Sequence, residues 1–314
     1  MTGYLKWIAV FAVFFMVSYN MEIYVKTDGS PQLQMIGVSS CGLVNLVLDY
    51  IFVIIFHWGV EGAAAATGIA QAVSALIFLC YFKFRSKTLR FQRIRPELSV
   101  YKRIVPLGLA DSLTELSGGL VIVLFNRMIL WIIGEDGLIS YTVISYLNTL
   151  ALNCMAGIAQ GAQPLISFHY GAGQRKSCSR LLKYGLCFSA VFGLFFFGLS
   201  ELAPGLPMRL FLGNAETALI RQGTAALRLY GISFAFVGFN VVLAGFFTAM
   251  DRPSHSLTIS LSRSLFLLSA CLIVMAVVFG ERGIWLSTAV SEGLCLFISG
   301  FLFFRYRKST ENAA

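Results

Sequence analysis

Charge is what this chain has least of. Only 12% of its 314 residues are Asp, Glu, Lys or Arg, against about 25% in a soluble domain. Hydrophobic residues make up 57%, and the mean hydropathy is +0.77. Such a surface excludes water as the main solvent and points to an integral membrane protein. The apolar runs also lack the alternating period of barrel strands, which leaves helices as the spanning element. The seven cysteines include no CxxC pair and fall mostly inside apolar runs. That excludes a disulfide framework or a metal knuckle and leaves them as small membrane residues. The histidines His57, His169 and His255 sit at span ends and do not cluster. There is no GxxxxGK[ST] sequence, so no ATP-driven pump is encoded. No nucleophile elbow or catalytic constellation appears, so an enzyme is not expected. The first apolar run has no A-x-A-like cleavage site and reads as a full span, not a signal peptide.

What is present is a series of long apolar segments. Nine spans are predicted, at roughly 5–26, 33–57, 60–84, 103–132, 137–166, 180–203, 223–249, 255–279 and 283–305. Turn-like breaks separate them, among them Asp28-Gly29-Ser30-Pro31, Gly134-Glu135-Asp136-Gly137, Tyr170-Gly171-Ala172-Gly173 and Asp251-Arg252-Pro253. The first three spans resemble the last three. Pro31 matches Pro253 and Gly62 matches Gly283, at offsets of 222 and 221 residues. Membrane transporters are often built from such repeated halves. The second copy follows a long run of apolar helices from Tyr101 on, whereas nothing precedes the first. The expectation is a chain short of about three N-terminal helices, the number that would equalise two repeated halves.

The net charge of +9 does not indicate nucleic-acid binding, because the Lys and Arg residues gather in a few loops. One set of loops holds Lys26, the 85–103 linker, Arg175/Lys176/Arg180/Lys183, Arg252 and Arg305/Arg307/Lys308. The opposite set holds His57/Glu61, Glu135/Asp136, the 201–222 loop and Glu281/Arg282. The first set is therefore expected to be cytoplasmic, with the C-terminus inside. Nine spans then place Met1 outside, which also favours a missing N-terminal segment.

Ionisable groups inside the spans are few, and each costs about 2.5–3.5 kcal/mol at mid-membrane on insertion scales. Asp49 is the strongest candidate. Asn45 lies four residues earlier on the same helix face. Together they offer a carboxylate and an amide oxygen, hard ligands for Na⁺ or a hydrogen-bonded proton site. The following span carries Gly62-Ala63-Ala64-Ala65-Ala66-Thr67, small residues that let two helices approach closely. Counting from the outer turn, Asp49 and Thr67 lie roughly 13 and 10 Å deep at 1.5 Å per residue. The alternative is a protonated Asp49 that only bridges helices. Asp111 and Glu115, also four apart, form either a second ion or substrate site or a water-facing stripe near the cytoplasmic mouth. Glu22 is read as a partner of Lys26. Arg263 either faces a central cavity or snorkels inward. Glu292, mid-helix beside Gly293, is a candidate partner for Arg263.

Several stretches resemble the multidrug and toxic compound extrusion (MATE) family, in the manner of its bacterial DinF-like branch. They are Asn45-Leu46-Val47-Leu48-Asp49-Tyr50-Ile51-Phe52, Gly59-Val60-Glu61-Gly62-Ala63-Ala64-Ala65-Ala66-Thr67, Gly157-Ile158-Ala159-Gln160-Gly161-Ala162-Gln163-Pro164-Leu165-Ile166, Met250-Asp251-Arg252-Pro253 and Gly283-Ile284-Trp285, with the turns at Asp28 and Tyr170. The resemblance implies an all-α integral membrane fold of twelve helices in two lobes, of which this chain's nine match spans four to twelve. Residues 1–85 would be the remaining half of the N-terminal lobe, 86–102 a basic cytoplasmic linker and 103–307 the six-helix C-terminal lobe. It implies efflux of amphipathic, often cationic, drugs or metabolites across the bacterial inner membrane, in exchange for H⁺ or Na⁺ and without a further cofactor. Asn45, Asp49 and Thr67 match cation-site residues of the family, and Asn20 matches a further one. The family's carboxylate on its first span has no counterpart here. Two other readings remain open: a non-transporting remnant, and a lipid-linked oligosaccharide flippase of the wider superfamily. The near isolation of Arg263 argues against the flippase.

Overall fold

A computed structural model describes residues 2–86, 89, 97–213 and 217–311. The side chains of residues 2, 3, 100, 103, 104, 106–111, 113 and 309–311 lie outside that description. So do most of the basic linker residues, Lys87, Arg90, Arg93 and Arg95. Among the described residues the structure is helical, with no strand. The elements are α1 (Thr2–Thr27), α2 (Pro31–Asp49), α3 (Gly59–Phe84), α4 (Leu98–Ile132), α5 (Glu135–Gly171), α6 (Arg175–Leu202), α7 (Gly205–Leu212), α8 (Thr217–Gly231), α9 (Phe234–Ala249), α10 (Pro253–Leu261) and α11 (Leu267–Glu311). Two π-helical turns interrupt them, at Tyr50–Ile55 after α2 and at Ser262–Phe266 between α10 and α11.

Two long segments need dividing. Gly280 has a φ of 59° inside α11, a conformation that ordinary helical residues avoid. Arg263 and Glu292 lie 29 residues apart yet meet at 3.2 Å, whereas a straight helix would separate them by about 43 Å. The chain therefore reverses at Gly280, and Pro253–Lys308 is a helical hairpin, in line with the two separate spans expected at 255–279 and 283–305. The span expected over 223–249 is instead broken into α8 and α9, bent by 43°. The hydrogen bonds Ser233 N–Tyr230 O and Ala235 N–Ile232 O tighten the chain there into single three-residue turns. Counting that bent pair as one span, and the hairpin as two, gives nine apolar spans among the described residues. Residues 205–212, expected as loop, form the short helix α7.

The chain divides into two compact units, Met1–Pro96 and Glu97–Ala314. In the first, α3 is central. Its small side chains Ala64, Ala65, Ala66, Ala70 and Ala75 are buried, so neighbours approach its backbone. A Cβ at Gly68 would collide with the Phe11 ring of α1, and one at Gly37 of α2 with the Phe78 ring of α3. The turn after α1 is fixed by Asp28, which is 3% exposed. The Tyr81 hydroxyl donates to Asp28 Oδ2 at 2.6 Å, Ser86 Oγ donates to the same oxygen at 3.1 Å, and the Leu89 amide donates to Oδ1 at 2.9 Å.

In the second unit, α5, α6 and α9 pack around a common seam. A Cβ on Gly193 of α6 would sit 2.6 Å from the Phe234 carbonyl of α9, and one on Gly245 of α9 would lie 3.1 Å from Ala159 of α5. Phe125 stacks on Tyr141 with ring centroids 5.2 Å apart, in a core that includes Ile129, Ile144, Leu227, Phe234 and Trp285. Large apolar side chains such as Leu46, Trp131, Phe168 and Phe297 stay exposed, as lipid-facing residues do. This is a multi-pass membrane protein.

Close approach at Gly68 yields a test. Gly68→Val should overpack the α1–α3 contact by about 1–3 kcal/mol, lowering the melting temperature of the purified chain in detergent. Gly42→Ala, where a Cβ meets nothing within 4 Å, serves as the control and should leave it unchanged. Equal melting of the two variants would show that α1 and α3 are not in this register.

Candidate functional site

Each unit holds a cluster of polar residues inside its spans. In the first, Asn45 of α2 donates its Nδ2 to Thr67 Oγ1 of α3 at 3.2 Å, and Thr67 passes its own proton to the Ala63 carbonyl at 2.9 Å. This chain of donors ties down the amide nitrogen of Asn45 and leaves its oxygen as an acceptor. One helical turn on, Asp49 closes α2, and its Oδ1 is buried with no hydrogen-bond partner among the described residues. The π turn begins at the next residue, Tyr50. Widened turns of this kind recur at functional positions. The site thus presents a carboxylate oxygen and an amide oxygen on one helix face.

Asn20 does not join that pair. Its Nδ2 donates to Met16 O within α1 at 2.8 Å. It lines an open pocket of about 400 Å³ with Phe15, Met16, Tyr19, Glu22 and Gln71. Glu22 is held by Lys26 at 3.2 Å and by Gln34 Nε2 at 2.9 Å.

In the second unit, Glu292 is 4% exposed and both carboxylate oxygens are engaged. Oε1 takes Arg263 Nη1 at 3.2 Å, and Oε2 takes Asn240 Nδ2 at 2.8 Å. Asn240 also reaches the Glu292 carbonyl at 3.0 Å, while its Oδ1 accepts from Ser299 Oγ at 2.9 Å. The network joins α9, the π turn at Ser262–Phe266 and the second arm of α11. Asn240 was not singled out in the sequence. The signal was a lone amide in Phe234–Ala249, a helix otherwise almost wholly apolar. The pairing of Arg263 with Glu292 stands as anticipated. Glu115, on α4, is exposed and makes no described contact with either residue. The Asp111 side chain lies outside the described residues.

The MatE family model matches residues 112–275, more than half of the chain. The chain belongs to the MATE family. Among curated relatives, the multidrug export protein MepA of Staphylococcus haemolyticus (strain JCSC1435) is 23% identical over 311 residues, spanning 98% of this chain and 67% of that protein. MepA of Staphylococcus aureus (strain NCTC 8325) is 24% identical over 304 residues, covering 94% and 64%. The chain thus spans about two thirds of the length of these MATE relatives. A crystal structure of MATE in complex with MaL6 superposes with a TM-score of 0.91 at 20% identity, over 99% of this chain and 70% of that one. That likeness carries the MATE fold.

In this MATE chain the ion pair of the second unit has a measurable consequence. Removing one partner of a buried pair leaves an uncompensated charge, which costs about 3–5 kcal/mol in soluble proteins. Arg263 keeps 23% side-chain exposure, so Arg263→Ala should fall toward the lower end of that range in thermal melts. Combining it with Glu292→Gln should recover most of the loss. A double variant no more stable than the single one would show that the two residues are not energetically coupled.

Proposed function

We propose that this chain takes part in secondary active efflux of amphipathic, often cationic, drugs or metabolites, driven by inward movement of H⁺ or Na⁺ and proceeding by alternating access. The observation that carries the reading is the first-unit site, where a buried oxygen of Asp49, without a partner among the described residues, lies beside an Asn45 amide oriented by Thr67. A carboxylate so placed changes charge when a cation or proton arrives, and a ligand shifts a conformational equilibrium by its differential affinity for the two states. A proton needs only Asp49; Na⁺ would draw on the Asn45 oxygen as well. The multidrug export proteins among the relatives support drug-like substrates. The flippase reading finds less support, because a pyrophosphate headgroup calls for several basic residues and Arg263 is nearly alone.

The test is Asp49→Asn at matched expression, with drug efflux followed against an imposed proton or sodium gradient. Asn keeps the shape and removes the ionisable group, so driven efflux should fall to near background. Asn45→Ala and Thr67→Ala should lose less, since each removes a neutral group. Efflux at the parent level in Asp49→Asn would exclude Asp49 as the coupling residue. An absence of efflux in the parent would favour the non-transporting remnant.

Charge asymmetry between the loops supports an inner-membrane orientation with the 85–103 linker and the C-terminus cytoplasmic. In a Cys-less background on intact cells, an impermeant maleimide should label Asn214→Cys and spare Gln92→Cys. The reverse pattern would invert the topology.

A further inference from the structure

Charged groups inside a span are expected to be turned inward and engaged. Glu292 meets that expectation, with both oxygens bonded and 4% exposure. Arg263 does not. Its described contact is the single Nη1 donation to Glu292, and its side chain keeps 23% of its surface. A guanidinium carries five N–H donors in a planar fork, so most of them have no partner among the described residues.

The surroundings are also under-satisfied. Ser264 Oγ, beside Arg263 in the chain, is buried without a hydrogen bond among the described residues, as is Trp285 Nε1. Trp285 and Glu292 are seven residues apart, about two turns, so they share one face of α11. Buried polar atoms left unmade are costly, and hydrocarbon cannot satisfy them. Arg263 itself sits on the π turn Ser262–Phe266, the kind of local widening that recurs at functional sites.

We propose that Arg263 anchors a carboxylate-binding subsite within the second unit, occupied by the carboxylate end of a small amphipathic zwitterion. The ligand's carboxylate takes the unused edge of the guanidinium, the geometry in which Arg binds carboxylates bidentately. Glu292, held by Asn240 and through it by Ser299, acts as a positioning residue that fixes the opposite edge of the fork. Charge selects the ligand class. The Arg263–Glu292 pair is neutral, so a purely anionic ligand would add net charge to the span, whereas a zwitterion brings its own cation. This subsite stands apart from the Asp49 reading, and each has its own readout.

The test is binding of Nε-dansyl-lysine, a fluorescent zwitterion, and of its methyl ester to the purified full chain in detergent. The ester keeps the ammonium group and loses the carboxylate. The zwitterion should bind about tenfold more tightly, the size of one charge-assisted hydrogen bond. Arg263→Gln should reduce zwitterion affinity to that of the ester and leave ester binding unchanged, and Arg263→Lys should fall between. Equal binding of zwitterion and ester by the intact chain would overturn the proposal with no variant needed, so a misfolded Arg263→Gln does not protect it. Displacement of the dansyl probe by dihexanoyl phosphatidic acid at lower concentration than by unlabelled Nε-acetyl-lysine would reassign the site to phosphate and also overturn it.

Discussion

Hydrocarbon accepts and donates no hydrogen bonds, and the rest of this structure answers to that constraint. Every polar atom carried into a span must be met from within the protein. The hydroxyls do so locally: Thr67, Thr142, Thr149, Ser200, Thr224 and Thr248 each donate to the carbonyl four residues back. Two of the amides reach further. Asn45 needs α3, and Asn240 needs the far arm of α11. Polar side chains thus act as registration marks between helices, because apolar contact alone is as good with lipid as with protein. Where Gly and Ala line the contact, the helices approach closely enough for those short side chains to meet.

The two units treat a carboxylate inside a span differently. Glu292 is closed on itself, with a guanidinium on one oxygen and an amide on the other. Asp49 is left open: its helix supplies an amide oxygen nearby but no cation, and its Oδ1 accepts nothing among the described residues. The first arrangement ties three helical segments together. The second leaves one carboxylate oxygen without a partner among the described residues.

Much of the fold was legible in the sequence, and the reasons are physical. Apolar runs long enough to span, broken by Gly, Pro and Asp, place most helices within a few residues. The repeat at offsets of 222 and 221 anticipated the reversal at Gly280. Spacing also put Asn45 and Asp49 on one face and brought Thr67 to their depth, and Asn45 and Thr67 do touch. What escaped has no local signature. The 43° break between α8 and α9 lies inside a continuous apolar run. The π turns after Asp49 and around Arg263 have ordinary compositions. Asn240 meets Glu292 and Ser299 across 52 and 59 residues, a pairing that only tertiary packing specifies. Asn20, which the resemblance matched to a cation-site residue, bonds within its own helix.

The knot of hydrogen bonds at Asp28 bears on how the first unit is made. Asp28 emerges from the ribosome well before the groups that hold it, and the Leu89 amide follows 61 residues later. At synthesis rates of 5–20 residues per second that interval is about 3–12 s. Through it the α1–α2 hairpin must be inserted with its carboxylate hydrated at the membrane surface. The unit closes only when the end of α3 and the segment beyond it come within reach. Membrane insertion and final folding are therefore separate events for this unit, and the translating ribosome sets the delay between them.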